Sequence, residues 1–178
     1  MFLTIYTLFH VLLSLVGIAS GLVVVGGLLQ RKRLDGWTVI FLTTTVATSL
    51  TGFGFPFINF LPSHVVGILS LLVLVPTIAA RYRSHLAGRW RFIYVVGSVI
   101  ALYFNVFVLV VQSFLKIPAL RAIAPTQTEL PFALTQLTVL GLFIFLGVVA
   151  VMRFRIDAGR ARQESVEVKR AKAAGSRG

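Results

Sequence analysis

The chain has 178 residues, of which 57% are hydrophobic and 12% charged, with a formal net charge of +12 and no cysteine. This composition leaves no room for a soluble domain of useful size, and it excludes disulfides, thiol catalysis and cysteine-ligated metal clusters. Nucleic acid is not the expected partner of the positive charge, because the basic residues flank apolar runs as topological signals do.

The first apolar run covers about Phe2 to Leu29 and stops at Arg31-Lys32-Arg33. It lacks a basic leader and is too long for the apolar core of a signal peptide, so it reads as an uncleaved helix. His10, Ser14, Gly17 and Gly21 recur within it at spacings of four, three and four, which places them on one face. Gly17-xxx-Gly21 is the small-residue pattern that lets two helix backbones approach closely.

The second run, about Gly36 to Phe55, is rich in hydroxyls: Thr43, Thr44, Thr45, Thr48, Ser49 and Thr51. Such side chains can bond back to carbonyls of their own helix. A Pro-marked turn, PFINFLPS, separates it from a third run, His64 to Ala80, in which Pro76 predicts a kink or an early end near Arg81. The fourth, about Phe92 to Leu115, carries Ser98, Asn105 and Gln112 at intervals of seven, with Lys116 four residues further on. All four lie on one stripe, and Asn and Gln in lipid call for another helix or a wet cavity.

The loop KIPALRAIAPTQTELPF follows, with three prolines and one acid, Glu129. It is expected to fold against the top of the bundle, with Glu129 favouring the start of the next helix. The fifth run spans about Pro131 to Met152. Residues 153–178 form a basic tail with eight basic and three acidic residues, expected as a fraying helix on an anionic leaflet.

Each run is long enough, or nearly so, to cross a hydrocarbon core of roughly 30 Å. Isolated strands would leave backbone groups unpaired in lipid. The expected fold is therefore all-α, an integral membrane bundle of five transmembrane helices within residues 1–152. Fifteen of the seventeen Lys and Arg residues fall in three patches: 31–33, Arg81 to Arg91, and the tail. Five crossings put all three on one side. The positive-inside rule then sets the N-terminus outside and the C-terminus in the cytoplasm of a bacterial inner membrane. Trp37 and Trp90 stand beside the basic loops, where indole rings favour the headgroup boundary.

Heights above the basic ends follow from 1.5 Å per residue. Asn105 lies about 21 Å above Arg91 and Gln112 about 31 Å; His64 and Gln136 each lie about 25 Å above Arg81 and Arg153. His10 lies about 31 Å above Arg31, and Thr51 about 21 Å above Trp37. Six neutral polar residues from five helices thus share an outer layer. One reading is an outward-facing pocket that binds or passes a small solute, lipid headgroup or ion. A second is a haem b held between His10 and His64 for electron transfer. A third is the ordinary enrichment of polar residues near an interface. An accessory subunit packed through Gly17 and Gly21, or a homo-oligomer, is a further alternative. No catalytic group is identified: the apolar runs hold no Asp or Glu, and there is no P-loop or dinucleotide fingerprint. No metal site is expected beyond the possible haem ligands. The lipid bilayer is the main partner, with anionic lipids at the tail.

The stretches GWTVIFLTTTVATSLTGFGFPF, LPSHVVGILSLLVLVPTIAARYRSHLAGRWRFIYV and NVFVLVVQSFLKIPALRAIAPTQTELPF resemble a group of small uncharacterised bacterial inner-membrane proteins. That resemblance implies a five-helix membrane fold and carries no activity across. The His-xx-Gly of the third run, followed by Arg-Tyr-Arg-Ser-His, is faintly similar to four-helix b-type cytochromes, which normally show more intramembrane His in matched pairs.

Overall fold

A computed structural model describes residues 2–55 and 62–175, and every regular element among them is helical. Helix α1 covers Phe2–Leu29, α2 Asp35–Gly52, and α3 Pro62–Ile78, which continues as a π-helical turn over Ala79–Arg83. Then come α4, Trp90–Lys116, a short α5, Pro118–Ile123, and α6, Leu130–Gly175. Most of the PFINFLPS turn lies outside the described residues.

Four helices are long and apolar enough to cross a membrane, over Leu3–Leu29, His64–Arg83, Trp90–Lys116 and Leu130–Phe154. This is the make-up of a helical membrane protein. Helix α2 is the exception, since its 18 residues include the run of Thr and Ser that lowers its hydropathy. Its location explains how it tolerates them. Phe41, Thr38 and Thr45 are fully enclosed, and Thr44 bonds back to the Ile40 carbonyl at 2.7 Å.

Side-chain pairs fix how the helices run. Along α1 and α2, Gly27 meets Leu34, Gly21 meets Phe41, Gly17 meets Thr44 and Thr45, and His10 meets Thr51. Residue numbers rise on one helix as they fall on the other, so the pair is antiparallel through seventeen residues of α1, or about 26 Å. Ser49 with Ser70 and Phe53 with Gly67 give the same antiparallel relation for α2 with α3, as do Thr77 with Gly97 and Arg81 with Tyr94 for α3 with α4. Tyr103 with Phe143, and Phe114 with Phe132, do so for α4 with α6.

That alternation gathers the basic residues at one end. Arg81 pairs with Asp35 and stacks over Tyr94 at 5.4 Å, while the Tyr94 hydroxyl shares a 3.0 Å hydrogen bond with Thr38. Arg153 donates to the Leu29 carbonyl at 3.0 Å, capping α1 from α6. Beneath these contacts Leu28, Leu86, Tyr94, Val95 and Phe154 close the basic end with apolar side chains. A second cluster, including Ile18, Phe41, Leu74 and Leu102, fills the middle.

The α-helical part of the third run ends at Ile78, and a π turn carries it on to Arg83, in the region where a kink or an end was expected. Pro76 has no N–H and disturbs the preceding turn, yet the chain stays helical and widens into the π turn, closed by Ser84 N–H to the Ala79 carbonyl at 3.0 Å. The wider turn holds Arg81 inward on Asp35 and Tyr94 and leaves Arg83 exposed. Beyond it Leu86 takes a positive φ of 60° and is buried. The left-handed conformation costs about 1–2 kcal/mol, which burying a leucine, at roughly 1.5–3 kcal/mol, offsets.

Helix α2 stops at Gly52, three residues before its expected end, where Phe53 and Gly54 donate back to the Leu50 and Thr51 carbonyls. Helix α6 continues into the basic tail as far as Gly175, over a stretch rich in Ala, Arg, Lys and Glu with no proline.

Gly17 and Gly21 face α2 and α4 inside the bundle. A Cβ at Gly21 would sit 2.7 Å from Leu102 and 2.8 Å from Phe41, both buried. Gly21→Ile is expected to destabilise the fold by about 1–3 kcal/mol or more through overpacking. Gly17→Ala, whose Cβ meets its neighbours at 3.3 Å or beyond, should cost less. Chemical unfolding in micelles checks both. An unchanged midpoint for Gly21→Ile would contradict the packing.

Candidate functional site

The end of the bundle away from the basic patches is built differently. Its polar side chains come from four helices and enclose a cavity of about 70 Å³. His10 and Ser14 of α1, Thr48 and Ser49 of α2, His64 and Ser70 of α3, and Asn105 of α4 border it, with Phe53, Phe104 and Val108 among the apolar wall.

Each polar group is placed by its helix. His10 Nδ1 lies 2.8 Å from Thr51 Oγ1, and the Tyr6 hydroxyl donates to the Thr51 carbonyl at 2.6 Å. Thr51 also lies 2.7 Å from the Ala47 carbonyl, to which its single hydroxyl proton can go. His10 Nδ1 is then the donor to Thr51, which leaves Nε2 as an acceptor. Phe55 holds the imidazole edge-on, with ring centres 5.2 Å apart.

Deeper in the bundle, Asn105 Nδ2 donates to Thr45 Oγ1 at 3.1 Å, joining α4 to α2. Asn105 is only 7% exposed, so this amide works inside the bundle and not against lipid. Ser49 donates to Ser70 at 3.1 Å and lies 2.9 Å from the Thr45 carbonyl, joining α2 to α3. His64 is buried and packs against Phe53, with ring centres 5.9 Å apart. Thr48 Oγ1 is buried at the cavity with no hydrogen-bond partner among the described residues.

Of the six residues expected in one layer, His10, His64 and Asn105 border the cavity, and Thr51 holds His10. Gln112 and Gln136 stand elsewhere. Gln112 is exposed, about 10 Å beyond Asn105 along α4. A seven-residue stripe also drifts about 20° per repeat around a straight helix. Gln136 donates to the Phe107 carbonyl at 3.3 Å, so it joins α6 to another face of α4. Ser70, Thr45 and Tyr6 were not among the expected site residues. The spacing His64-xx-Gly67-xx-Ser70 was the available signal for Ser70.

Haem fits this arrangement poorly, because the cavity is far below the roughly 300–1,000 Å³ of sites that enclose larger ligands. A space of this size suits a few waters, or one small solute or ion. Among the described residues no group of three His, Asp or Glu could hold a metal. Comparison of the chain with family models, curated proteins and solved structures gives no match.

The loop after α5 rests on the end of α4. Gln127 donates to the Val111 carbonyl at 3.0 Å and Ala124 is buried. Glu129 opens α6, its carbonyl accepting from Ala133. Its carboxylate accepts from the Thr126 hydroxyl at 2.9 Å and from the N–H groups of Thr126 and Thr128 at 3.1 Å. Desolvation pushes the Glu129 carboxyl up, but these bonds outweigh it and hold the group below 4.5. The ordering they provide is complete above the ordinary glutamate range and is lost as pH falls through the depressed value. Protection of the Thr126 and Thr128 amides relative to their intrinsic exchange rates should therefore be high at pH 6 and fall only under stronger acid. Glu129→Gln should be poorly protected at both, and equal protection in the variant would remove Glu129 from this role.

Proposed function

We propose that the chain crosses a bacterial inner membrane five times, N-terminus outside, and binds or passes one small polar solute or ion through the cavity at its outer end. The observation that carries this reading is the convergence of neutral hydrogen-bonding groups from α1, α2, α3 and α4 on one space, with Thr48 Oγ1 left unpartnered at its wall.

The fifth crossing is α2. It follows α1 antiparallel for about 26 Å, so a membrane that contains α1 contains α2 as well. The hydroxyls of Thr38, Thr44, Thr45, Ser49 and Thr51 are tolerable there because they bond within the helix or to Tyr94, Asn105 and Ser70. With the basic end in the cytoplasm, the cavity lies toward the outside. The lining offers imidazole, hydroxyl and amide groups, with which the site binds its occupant by hydrogen bonds.

Two measurements test this. The native chain has no cysteine, so single cysteines report topology cleanly. A cysteine at Ala87 should resist an impermeant thiol reagent in intact cells, and one at Thr126 should react. The reverse result would sink the orientation. In proteoliposomes, osmotic swelling with glycerol or urea and flux of potassium or chloride should reveal at least one solute that enters faster than into empty vesicles. Asn105→Leu should bring that rate to background, roughly a tenfold loss or more, while Gln112→Leu should leave it intact. If the wild-type chain adds nothing for any of these probes, the transport reading fails. If Asn105→Leu transports normally, the cavity is not the route.

A further inference from the structure

A groove between α4 and α6 lies on another side of the bundle from the polar cavity. It has a volume of about 400 Å³ and an apolar wall that includes Phe92, Val96 and Tyr103 of α4 with Phe143, Val148 and Val151 of α6. At its basic end it shares Phe92 and Val151 with a second space of about 640 Å³, which Arg89, Arg91 and Phe154 border. The Arg91 guanidinium lies over the Phe154 ring at 5.5 Å. Its Nε is buried without a hydrogen-bond partner among the described residues.

We infer that this continuous groove is a site for one anionic glycerophospholipid of the leaflet at the basic end. An acyl chain lies between α4 and α6, and the phosphate meets Arg89 and Arg91. The dimensions agree. Phe92 to Tyr103 spans eleven residue steps, about 17 Å, while one leaflet of a roughly 30 Å hydrocarbon core is about 15 Å thick. The charge also agrees: basic pockets between transmembrane helices at this level take anionic headgroups, and a phosphate supplies the acceptor that Arg91 Nε lacks. A second copy is the poorer occupant. A two-fold axis along the membrane normal would bring both arginine pairs to the same level, with no acid among the lining residues to compensate.

The test uses the full chain purified in mild detergent and offered equal amounts of phosphatidylglycerol and phosphatidylcholine of identical chains, read by native mass spectrometry. One phosphatidylglycerol should be retained in preference by roughly tenfold, a magnitude in keeping with two arginines at the headgroup level. Arg89→Gln with Arg91→Gln should remove the preference, and Arg89→Gln alone, in an exposed loop, should weaken it without touching the packed core. Val148→Trp, at an exposed position of the groove wall, should lower retention of both lipids. Helicity by circular dichroism confirms that each variant is folded. Equal retention of the two lipids by the wild type, or a preference that survives both glutamines, overturns the proposal. Displacement by millimolar glycerol 3-phosphate or inorganic phosphate would assign the arginines to a soluble anion and overturn it too. So would a disulfide-linked dimer formed through Ile144→Cys, which would give the groove to a second copy.

Discussion

The close approach of α1 to α2 is the constraint from which the rest of the molecule follows. Lipid offers no hydrogen bonds, so a helix with as many hydroxyls as α2 must be shielded or bonded along its length. Gly17 and Gly21 provide the shielding, because neither projects a side chain between the two backbones. Phe41 and Leu102 then close on Gly21, and Thr44, Thr45 and Asn105 gather around Gly17. The Asn105–Thr45 bond exists only because α1 leaves that space. An interhelical bond of this kind contributes on the order of 0.6 kcal/mol, so its main effect is on the orientation of α4.

The two ends of the bundle solve opposite problems. At the basic end, Asp35, Arg81, Tyr94 and Thr38 form a chain of contacts from α2 across the π turn to α4, over an apolar plug that includes Leu28, Leu86 and Phe154. That end is sealed. At the other end the apolar cluster stops near Ile18 and Leu102, and small hydroxyl and amide groups replace it. Small polar side chains fill less volume than Leu or Phe, and a cavity there is the direct result. The same substitution of Ser, Thr and Asn for larger apolar groups makes the space wettable.

The fold was largely legible in the sequence because its signals are long-range and redundant. Basic clusters at three chain positions demand that their helices alternate, and the structure brings Arg33's neighbourhood, Arg81 and Arg153 to one end through named contacts. The site was legible only in part. Height along a helix can be counted from residue number, which is why His10, His64 and Asn105 come together. Direction around the helix is harder. Gln112 shares the heptad stripe of Asn105, yet it is exposed where Asn105 is buried. Gln136 had the right height but sits on α6, which reaches α4 from another side. Ser70 shares a three-residue spacing with His64 and Gly67, but that weak signal gains meaning only once Ser49 is known to face it. The π turn was invisible as well: Pro76 announces a disturbance, but whether the chain breaks or widens depends on Arg81 finding Asp35 and Tyr94.

Helix α4 connects the two proposed sites through its different faces. Ser98 and Asn105 turn toward the other helices, whereas Val96, Ile100 and Tyr103 turn toward α6. Its polar stripe alone would make α4 a poor lipid-facing helix, and its apolar stripe alone would give no cavity. Because α1, α3 and α6 all pack on it, its rotation about its own axis is held from several directions. A rotation large enough to move Asn105 off Thr45 would also push Tyr103 out of its contact with Phe143. The buried amide and the aromatic contact therefore reinforce the same orientation, one by directional bonding and the other by shape. That dual restraint is what keeps a neutral polar residue facing the cavity in a helix whose remaining surface is overwhelmingly apolar.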